Sequence, residues 1–193
     1  MILKKIRRKR EMLKGKRVLL RPVKRSDAML FFKWFNDTEV TKYLNLHLPL
    51  SEVEVEKWIE ETIIARKQMD IFFVIEISEG RKTKAIGTCG IHKINAKDRN
   101  AEIDIIIGEK KQWGKGYGRE ATGVLIKYCF QEINLRRIAT GAYSFNKRSI
   151  RALLSVGFRK EGRQLQIVFK NGKYHDNILF GLLKKEWETR TAD

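Results

Sequence analysis

The sequence predicts an α/β (α+β) fold: one domain with a mixed, mostly antiparallel sheet of about seven strands, flanked by about four helices. Three observations predict it. Apolar runs rich in β-branched residues have the length of strands, and turn signals join most of them in pairs. Other segments repeat their apolar residues at helical spacing. The glycine-rich stretch W-G-K-G-Y-G links a strand directly to one of these helices.

The first half of the chain supplies three strands and two helices. The predicted elements are a strand over 17–23, a helix capped by Ser26-Asp27, a helix over 51–61, and strands over 71–77 and 84–94. Ser51, with Glu54 three residues later, has the pattern of a capping box. The polar link E-G-R-K-T indicates a hairpin between the last two strands.

The second half supplies four strands and two helices. The predicted elements are strands over 101–108, 135–142, 164–170 and 174–183, a helix over 119–131, and a helix capped by Asn146. Asn171-Gly172 is a strong signal for a two-residue hairpin turn. Because short turns join the second, third and fourth strands, these three form an antiparallel meander.

Length and composition favour a single soluble domain. The chain has 193 residues, and we divide it into a basic extension, residues 1–14, and a domain, residues 15–193. No apolar run approaches the roughly 20 residues that a membrane helix needs, and the N-terminus lacks the pattern of a secretory signal. Two isolated cysteines, Cys89 and Cys129, indicate buried thiols in a reducing compartment, so we expect a cytoplasmic protein. No metal-ligand spacing is present.

The formal net charge of +18 favours acidic partners such as phosphates, nucleic acid, ribosomes or acidic proteins. Residues 1–14 are either a solvated tail or a weak contact to nucleic acid or the ribosome. A basic RNA- or ribosome-associated protein that uses the domain as a scaffold is therefore an alternative of a different class. The sequence leaves a homo-oligomer open.

The stretch from Glu102 to Ala121 organises the chain, because it reads as strand, glycine-rich turn and helix start. The first turn of a helix leaves N–H groups without partners and carries partial positive charge. Three alternating glycines allow an anion to approach the main chain closely, and Lys115 and Arg119 add charge. This pattern predicts a phosphate or diphosphate site. The Walker pattern is absent, and the spacing G-x-G-x-G differs from the Rossmann pattern.

These residues resemble the GNAT superfamily of acetyl-CoA-dependent N-acetyltransferases, whose diphosphate loop is written [RQ]-x-x-G-x-[GA]. Here the loop is W-G-K-G-Y-G, with Trp113 in the first position. That departure is common in the branch of ribosomal-protein N-terminal acetyltransferases and spermidine acetyltransferases. The pattern N-x-x-[SA]-x-x-x-[YL]-x-x-x-G-F is also matched, from Asn146 to Phe158. The resemblance covers about residues 17–187.

The resemblance implies a fourth strand that splays from the fifth and receives the pantetheine arm of acetyl-CoA, with no metal. It implies that the coenzyme contacts residues of the strand, the loop and the next two helices: Ile105, Ile106, Ile107, Trp113, Gly114, Lys115, Gly116, Tyr117, Gly118, Arg119, Asn146 and Ser149. Many family members carry a Tyr that protonates the leaving thiolate seven residues after this Asn, and here that position is Leu153.

Acetyl transfer to an amine requires a neutral nitrogen held close to a polarised thioester carbonyl. A carboxylate is expected to take the proton, and Glu102 and Asp104 share one face of the fourth strand. We expect Glu102 to act, with Glu161 second, and Ser149 to donate to the thiolate. No residue order suggests an acyl-enzyme, so direct attack in a ternary complex is preferred. We expect the acceptor to be a protein N-terminus or a small amine, with a polyamine or amino sugar as alternatives.

Overall fold

The computed structural model describes residues 13–46, 48–64, 70–80 and 82–191. Over these residues the sheet has seven strands: β1 (Val18–Pro22), β2 (Ile71–Glu79), β3 (Lys82–Asn95), β4 (Asn100–Ile107), β5 (Arg137–Tyr143), β6 (Arg159–Lys170) and β7 (Lys173–Leu183). The α-helices in the same residues are α1 (Ala28–Phe35), α2 (Thr38–Thr41), α3 (Glu52–Ile64), α4 (Tyr117–Gln131), α5 (Lys147–Ser155) and α6 (Lys184–Thr191). The predicted fold class is confirmed, and α2 and α6 are short helices beyond the four expected.

The strand order is β1-β2-β3-β4-β5-β7-β6. All neighbours are antiparallel except β4 and β5, which are parallel and pair only between Asn100–Glu102 and Arg137–Ala139. Beyond that point β4 stays paired with β3, and β5 stays paired with β7. The two strands therefore part in the middle of the sheet, as the splayed pair implied by the resemblance requires.

Apolar side chains cover both faces of the sheet, because the strands alternate their side chains between two separate cores. On β2, Phe73 and Ile75 join the larger core with α4, whereas Val74 joins a second core with α1 and α3. On β4, Ile103 is buried in the larger core and Ile106 packs against the second. Asp104 lies two residues before Ile106, so it shares the face that carries α1 and α3.

Two local predictions are confirmed by the hydrogen bonds and backbone angles. Glu54 N–H donates to Ser51 Oγ at 3.2 Å, and Ser51 N–H donates to the Glu54 carboxylate at 2.7 Å, which is the reciprocal capping box. Asn171 and Gly172 have φ of 53° and 73°, as a two-residue hairpin turn requires. The start of α1 differs from expectation, because a 3₁₀ turn, Arg25–Asp27, precedes it.

The N-terminal extension falls mostly on residues 1–12, which lie outside the described residues. Leu13 packs against the larger core, and Lys14 forms a bridge with Leu19. The division at residue 14 stays a prediction. Cys89 and Cys129 are buried free thiols. In the part of the chain that the structure describes, no helix is long and apolar enough to cross a membrane.

Candidate active site

The glycine loop connects the end of β4 to the start of α4. Gly114 and Gly116 have φ of 77° and 84°, a left-handed backbone conformation that residues other than glycine rarely adopt. A Cβ at Gly114 would meet nothing within 4 Å, so the main chain there is open. Helix α4 begins at Tyr117, two residues earlier than predicted, and its first N–H groups follow directly from this loop. The N–H groups at the start of α4 are therefore open to an anion.

Trp113 fixes the loop to the strand from which it departs. Its indole Nε1–H donates to the carbonyl oxygen of Ile107, the last residue of β4, at 2.6 Å. The guanidinium carbon of Arg148, on α5, lies 4.1 Å from the centroid of the Trp113 ring. This stacking brings a positive charge from α5 to the glycine loop. Sequence reasoning placed Trp113 in the loop but missed Arg148, which no motif marks.

A cavity of about 500 Å³ occupies the gap between the parted strands. Its walls are formed by Ile103–Ile107 of β4 and Thr140–Tyr143 of β5. The glycine loop, the first turns of α4 and α5, and the segment from Val40 to Asn45 complete the lining. Tyr143 is paired with Asn177 of β7, which also lines the cavity. The cavity is thus a continuous space that joins the loop to the wedge.

Most residues predicted to bind the coenzyme line this cavity. They are Ile105, Ile106, Ile107, Trp113, Gly114, Gly116, Tyr117, Gly118, Arg119, Asn146 and Ser149. Lys115 is placed differently, since its ammonium donates to Gln112 Oε1 at 3.0 Å and it is absent from the lining. Asn146 caps α5 through Oδ1, which accepts the N–H of Ser149 at 3.1 Å. Its amide nitrogen is not used by that cap.

The structure does not bring Glu102 or Glu161 to the cavity lining. The Glu102 carboxylate accepts a hydrogen bond from Lys93 Nζ at 3.0 Å and is half exposed. The Glu161 carboxylate is held by both terminal nitrogens of Arg137, one at 2.7 Å, and this hydrogen bonding lowers the pKa of Glu161. Their roles in proton transfer stay predictions. Ser149 lies on the cavity as expected.

Asp104, the second acid on the same face of β4, does line the cavity. Its Oδ2 lies 2.8 Å from Nε2 of His92, on the neighbouring strand β3. The other ring nitrogen of His92, Nδ1, lies 3.5 Å from Oδ2 of Asp70. Burial alone would lower the pKa of His92, but the hydrogen bond and charge of Asp104, together with Asp70, outweigh it and raise that pKa. The sequence showed no motif around His92 or Asp70.

Tyr143 is a further polar group that sequence reasoning missed. It lies at the end of β5 in the cavity lining, and burial raises the pKa of its phenol, so the hydroxyl stays protonated at neutral pH. Leu153, which stands where many relatives carry Tyr, lines the same cavity and is buried. A proton donor is therefore present in the cavity, although on a strand rather than on α5.

Comparisons with known proteins agree with this geometry. The family model described as Acetyltransferase (GNAT) domain matches residues 17–159. The uncharacterized N-acetyltransferase p20 of Bacillus licheniformis is 34% identical over 179 residues, covering 92% of this chain and 98% of that protein. Spermidine N(1)-acetyltransferase of Escherichia coli (strain K12) is 28% identical over 170 residues, covering 88% of both chains.

A solved structure shares the architecture. The spermidine N-acetyltransferase of Vibrio cholerae, in complex with CoA and spermine, superposes with a TM-score of 0.82 at 25% sequence identity, covering 90% of this chain and 99% of that chain. The parted strands, the open glycine loop and the family match lead to one assignment. This chain belongs to the GNAT acetyltransferase family and is an N-acetyltransferase that uses acetyl-CoA.

Proposed function

We propose that the protein transfers the acetyl group of acetyl-CoA to a primary amine that carries a single positive charge, by direct attack in a ternary complex. The observation that carries the proposal is the cavity between β4 and β5, which runs from an uncovered helix N-terminus into the wedge. Main-chain amides at Gly114 and Gly116, with the charges of Arg119 and Arg148, suit a diphosphate. The edge of β4 that β5 leaves unpaired suits the amide groups of a pantetheine arm.

Direct attack is favoured because neither cysteine can carry the acetyl group. Cys89 and Cys129 are both fully buried, and neither lines the cavity. Burial raises the pKa of both thiols, that of Cys129 to about 12, so they stay protonated and unreactive at neutral pH. Initial velocities measured against both substrates should therefore give intersecting lines. Parallel lines would indicate a covalent intermediate.

Two proton transfers are required, and the cavity offers a group for each. The amine must lose a proton before it attacks, and Asp104 is the carboxylate in the lining, with Glu102 two residues earlier on the same strand face. The departing thiolate must be neutralised, and Ser149 and Tyr143, which both line the cavity, each carry a hydroxyl. Tyr143 is the better donor, because a phenol is a much stronger acid than the aliphatic hydroxyl of serine, even though burial raises the pKa of Tyr143.

The charge of the lining favours an acceptor with one positive charge. Among the described lining residues Asp104 is the sole carboxylate, whereas Arg119 and Arg148 are cationic. A polycation would meet repulsion from these arginines and from the net charge of +18. A protein N-terminus or a small monoamine needs only one carboxylate. A polypeptide acceptor is further favoured by exposed apolar side chains on the β6–β7 hairpin: Leu165, Ile167, Phe169 and Tyr174.

A polyamine is the second candidate. The similar proteins of Escherichia coli and Vibrio cholerae are both named as spermidine acetyltransferases, and the solved structure of the second is a complex with CoA and spermine. The exposed glutamates of α3 could attract a second or third ammonium, since Glu52, Glu54 and Glu56 lie on its surface. These residues are absent from the cavity lining, so we rank this acceptor below a monoamine.

A thiol-release assay tests both candidates in one experiment. Acetyl-CoA is supplied with a panel that contains short peptides with free N-termini, small monoamines, spermidine and amino sugars. We expect the highest kcat/KM for a peptide N-terminus, and no thiol release from the same peptide after its α-amine is blocked. A higher kcat/KM for spermidine than for every monoamine would select the second candidate. An absence of thiol release with all amines would contradict the proposed function.

A further inference from the structure

We propose that His92 and Asp70 form a proton relay with Asp104, in which Asp104 takes the proton of the acceptor amine at the cavity and passes it to His92, while Asp70 stabilises the protonated ring. The inference rests on the proposed function, because it assigns the path of the proton that an amine acceptor must lose. It concerns residues that neither the glycine loop nor the family motifs include.

The three side chains form a row that starts at the cavity lining. Asp104 lines the cavity, and its Oδ2 lies 2.8 Å from His92 Nε2. On the far side of the ring, His92 Nδ1 lies 3.5 Å from Asp70 Oδ2. The His92 side chain is only 20% exposed, whereas those of Asp104 and Asp70 are 49% and 37% exposed. The imidazole therefore lies largely buried between two carboxylates, one of which lines the cavity.

The neighbouring backbone is arranged to hold the ring in this position. A Cβ on Gly90 would lie 2.5 Å from His92 Nε2, so a glycine there leaves the space that the ring occupies. Phe72, on β2, packs its edge against the imidazole, with 4.9 Å between ring centroids. The N–H of Lys93 donates to Asp70 Oδ1 at 3.0 Å and holds that carboxylate beside the ring. The His92 ring and the Asp70 carboxylate are thus each held by a separate contact.

The charges around His92 favour a proton on the ring. In the described residues the groups that face it are Asp70 before β2, Asp104 and Glu102 on β4, and Lys93 on its own strand. Lys93 is paired with Glu102, so Asp70 and Asp104 remain to stabilise an imidazolium. They outweigh burial, and the pKa of His92 is raised above its ordinary value of 6.5. A raised pKa makes the neutral ring a stronger base.

The relay gives each proton of the reaction a donor and an acceptor. The neutral ring donates Nδ1–H to Asp70 and presents the Nε2 lone pair to Asp104. The substrate ammonium gives one proton to Asp104, which passes it to His92 Nε2. The imidazolium later returns this proton through Asp104, which is 49% exposed, to water, and the starting tautomer is restored. The neutral amine forms the N–C bond, the C–S bond breaks, and the thiolate takes the second proton of that nitrogen, either directly or through Tyr143, which gives its own proton to sulfur and is reprotonated by the nitrogen. The products are the amide, the free thiol and one proton.

The pH dependence of kcat tests the relay, since kcat reports groups in the bound complex. In the wild type, kcat should rise with pH through the pKa of His92 and then level off, because only the neutral ring accepts the proton. His92→Gln should lose this limb and lower the plateau about a hundredfold. Asp70→Asn keeps the acceptor for Lys93 N–H but removes a charge beside the ring. It should move the limb about one pH unit lower.

A direct titration separates the relay from a merely structural role. The chain has three histidines, His47, His92 and His175, so the His92 ring signal in an NMR titration can be assigned with the His92→Gln variant. Its midpoint should lie above 6.5 and should fall in Asp70→Asn. The matched control is His175→Gln, which should leave the kcat limb at its wild-type pH.

A kcat limb that stays in place in both His92→Gln and Asp70→Asn would overturn the relay. If His92→Gln does not fold, the Asp70→Asn variant decides, because an unchanged limb together with an unchanged His92 midpoint also overturns it. These outcomes differ from failure of the proposed function. In that case no amine releases thiol at any pH, although the His92 titration still shows its shift.

Discussion

Glu120 in α4 accepts hydrogen bonds from both the main chain and the side chain of Arg17, 103 residues away in the sequence. The Arg17 N–H donates to Glu120 Oε1 at 2.5 Å, and Arg17 Nε donates to Oε2 at 2.8 Å. Arg17 also donates to the carbonyl oxygen of Lys115 at 3.1 Å. One residue directly before β1 therefore supports both the glycine loop and the helix that follows it.

Glu120→Gln should lower the free energy of unfolding by roughly 1–3 kcal/mol at pH 7. Burial alone would raise the pKa of Glu120, but the hydrogen bonds from Arg17 outweigh it and lower that pKa below 4.5. A lowered pKa contributes stability that is present above the unfolded value and is lost as the pH falls through the folded value. The free energies of unfolding of the wild type and of Glu120→Gln can be measured with urea at several pH values. The difference between them should shrink below about pH 4.5. An equal difference at pH 7 and pH 3 would contradict the assignment.

Gly118→Glu should weaken coenzyme binding strongly while the fold is retained. A Cβ at Gly118 would lie 3.5 Å from Ile107 Cγ1, an ordinary contact, and a carboxylate in the first turn of a helix is favoured by the dipole. The same carboxylate would repel a diphosphate at the loop. Calorimetry with CoA should show at least about a tenfold loss of affinity.

Gly123→Glu is the matched control for this substitution. It introduces the same charge into the same helix, at a position where a Cβ meets nothing within 4 Å and which the cavity lining does not include. Its CoA affinity should remain close to that of the wild type. Equal losses in the two variants would show that general charge, rather than the loop, governs binding.

Trp113→Phe isolates the hydrogen bond between the loop and β4. Phenylalanine keeps an aromatic face for Arg148 but cannot donate to the carbonyl oxygen of Ile107. A single hydrogen bond contributes about 0.5–1.5 kcal/mol, so CoA affinity should fall roughly threefold to tenfold. Trp187→Phe, on α6 and outside the cavity lining, is the control and should not change CoA affinity. Unchanged binding in Trp113→Phe would mean that the loop holds its position without this bond.

Tyr143→Phe should lower kcat about tenfold to a hundredfold with little change in the KM for acetyl-CoA, because it removes a proton donor and keeps the packing. Ser149→Ala tests the donor that the sequence suggested. If Ser149→Ala causes the larger loss of kcat and Tyr143→Phe causes none, the thiolate is protonated from α5 rather than from β5.

The features that the sequence predicts are local. The strand to loop to helix junction, the Ser51 capping box and the Asn171-Gly172 turn each depend on residues close together in the chain, whose types dictate backbone angles and caps. The wedge followed from a family resemblance rather than from periodicity. Residue spacing alone cannot show where two parallel strands stop pairing.

The features that it does not predict depend on contacts between distant segments. Glu102 and Asp104 lie on the same face of β4, so the sequence does not distinguish them. Only their cross-strand partners do, because Lys93 contacts Glu102 and His92 contacts Asp104. Asp70 joins this group from before β2, and Tyr143 enters the cavity from β5. These contacts are set by the register of the strands, which a single sequence leaves undetermined.

Each of the two parted strands remains hydrogen-bonded on its other side, β4 to β3 as far as Ile107 and β5 to β7 as far as Tyr143. The hydrogen bonds to β3 and β7 therefore hold β4 and β5 in place on either side of the gap, and neither strand can move across to pair with the other. A ligand meets a preorganised slot, and its arrival should demand little rearrangement of the main chain. Selectivity would then come from the side chains at the rim rather than from closure of the sheet.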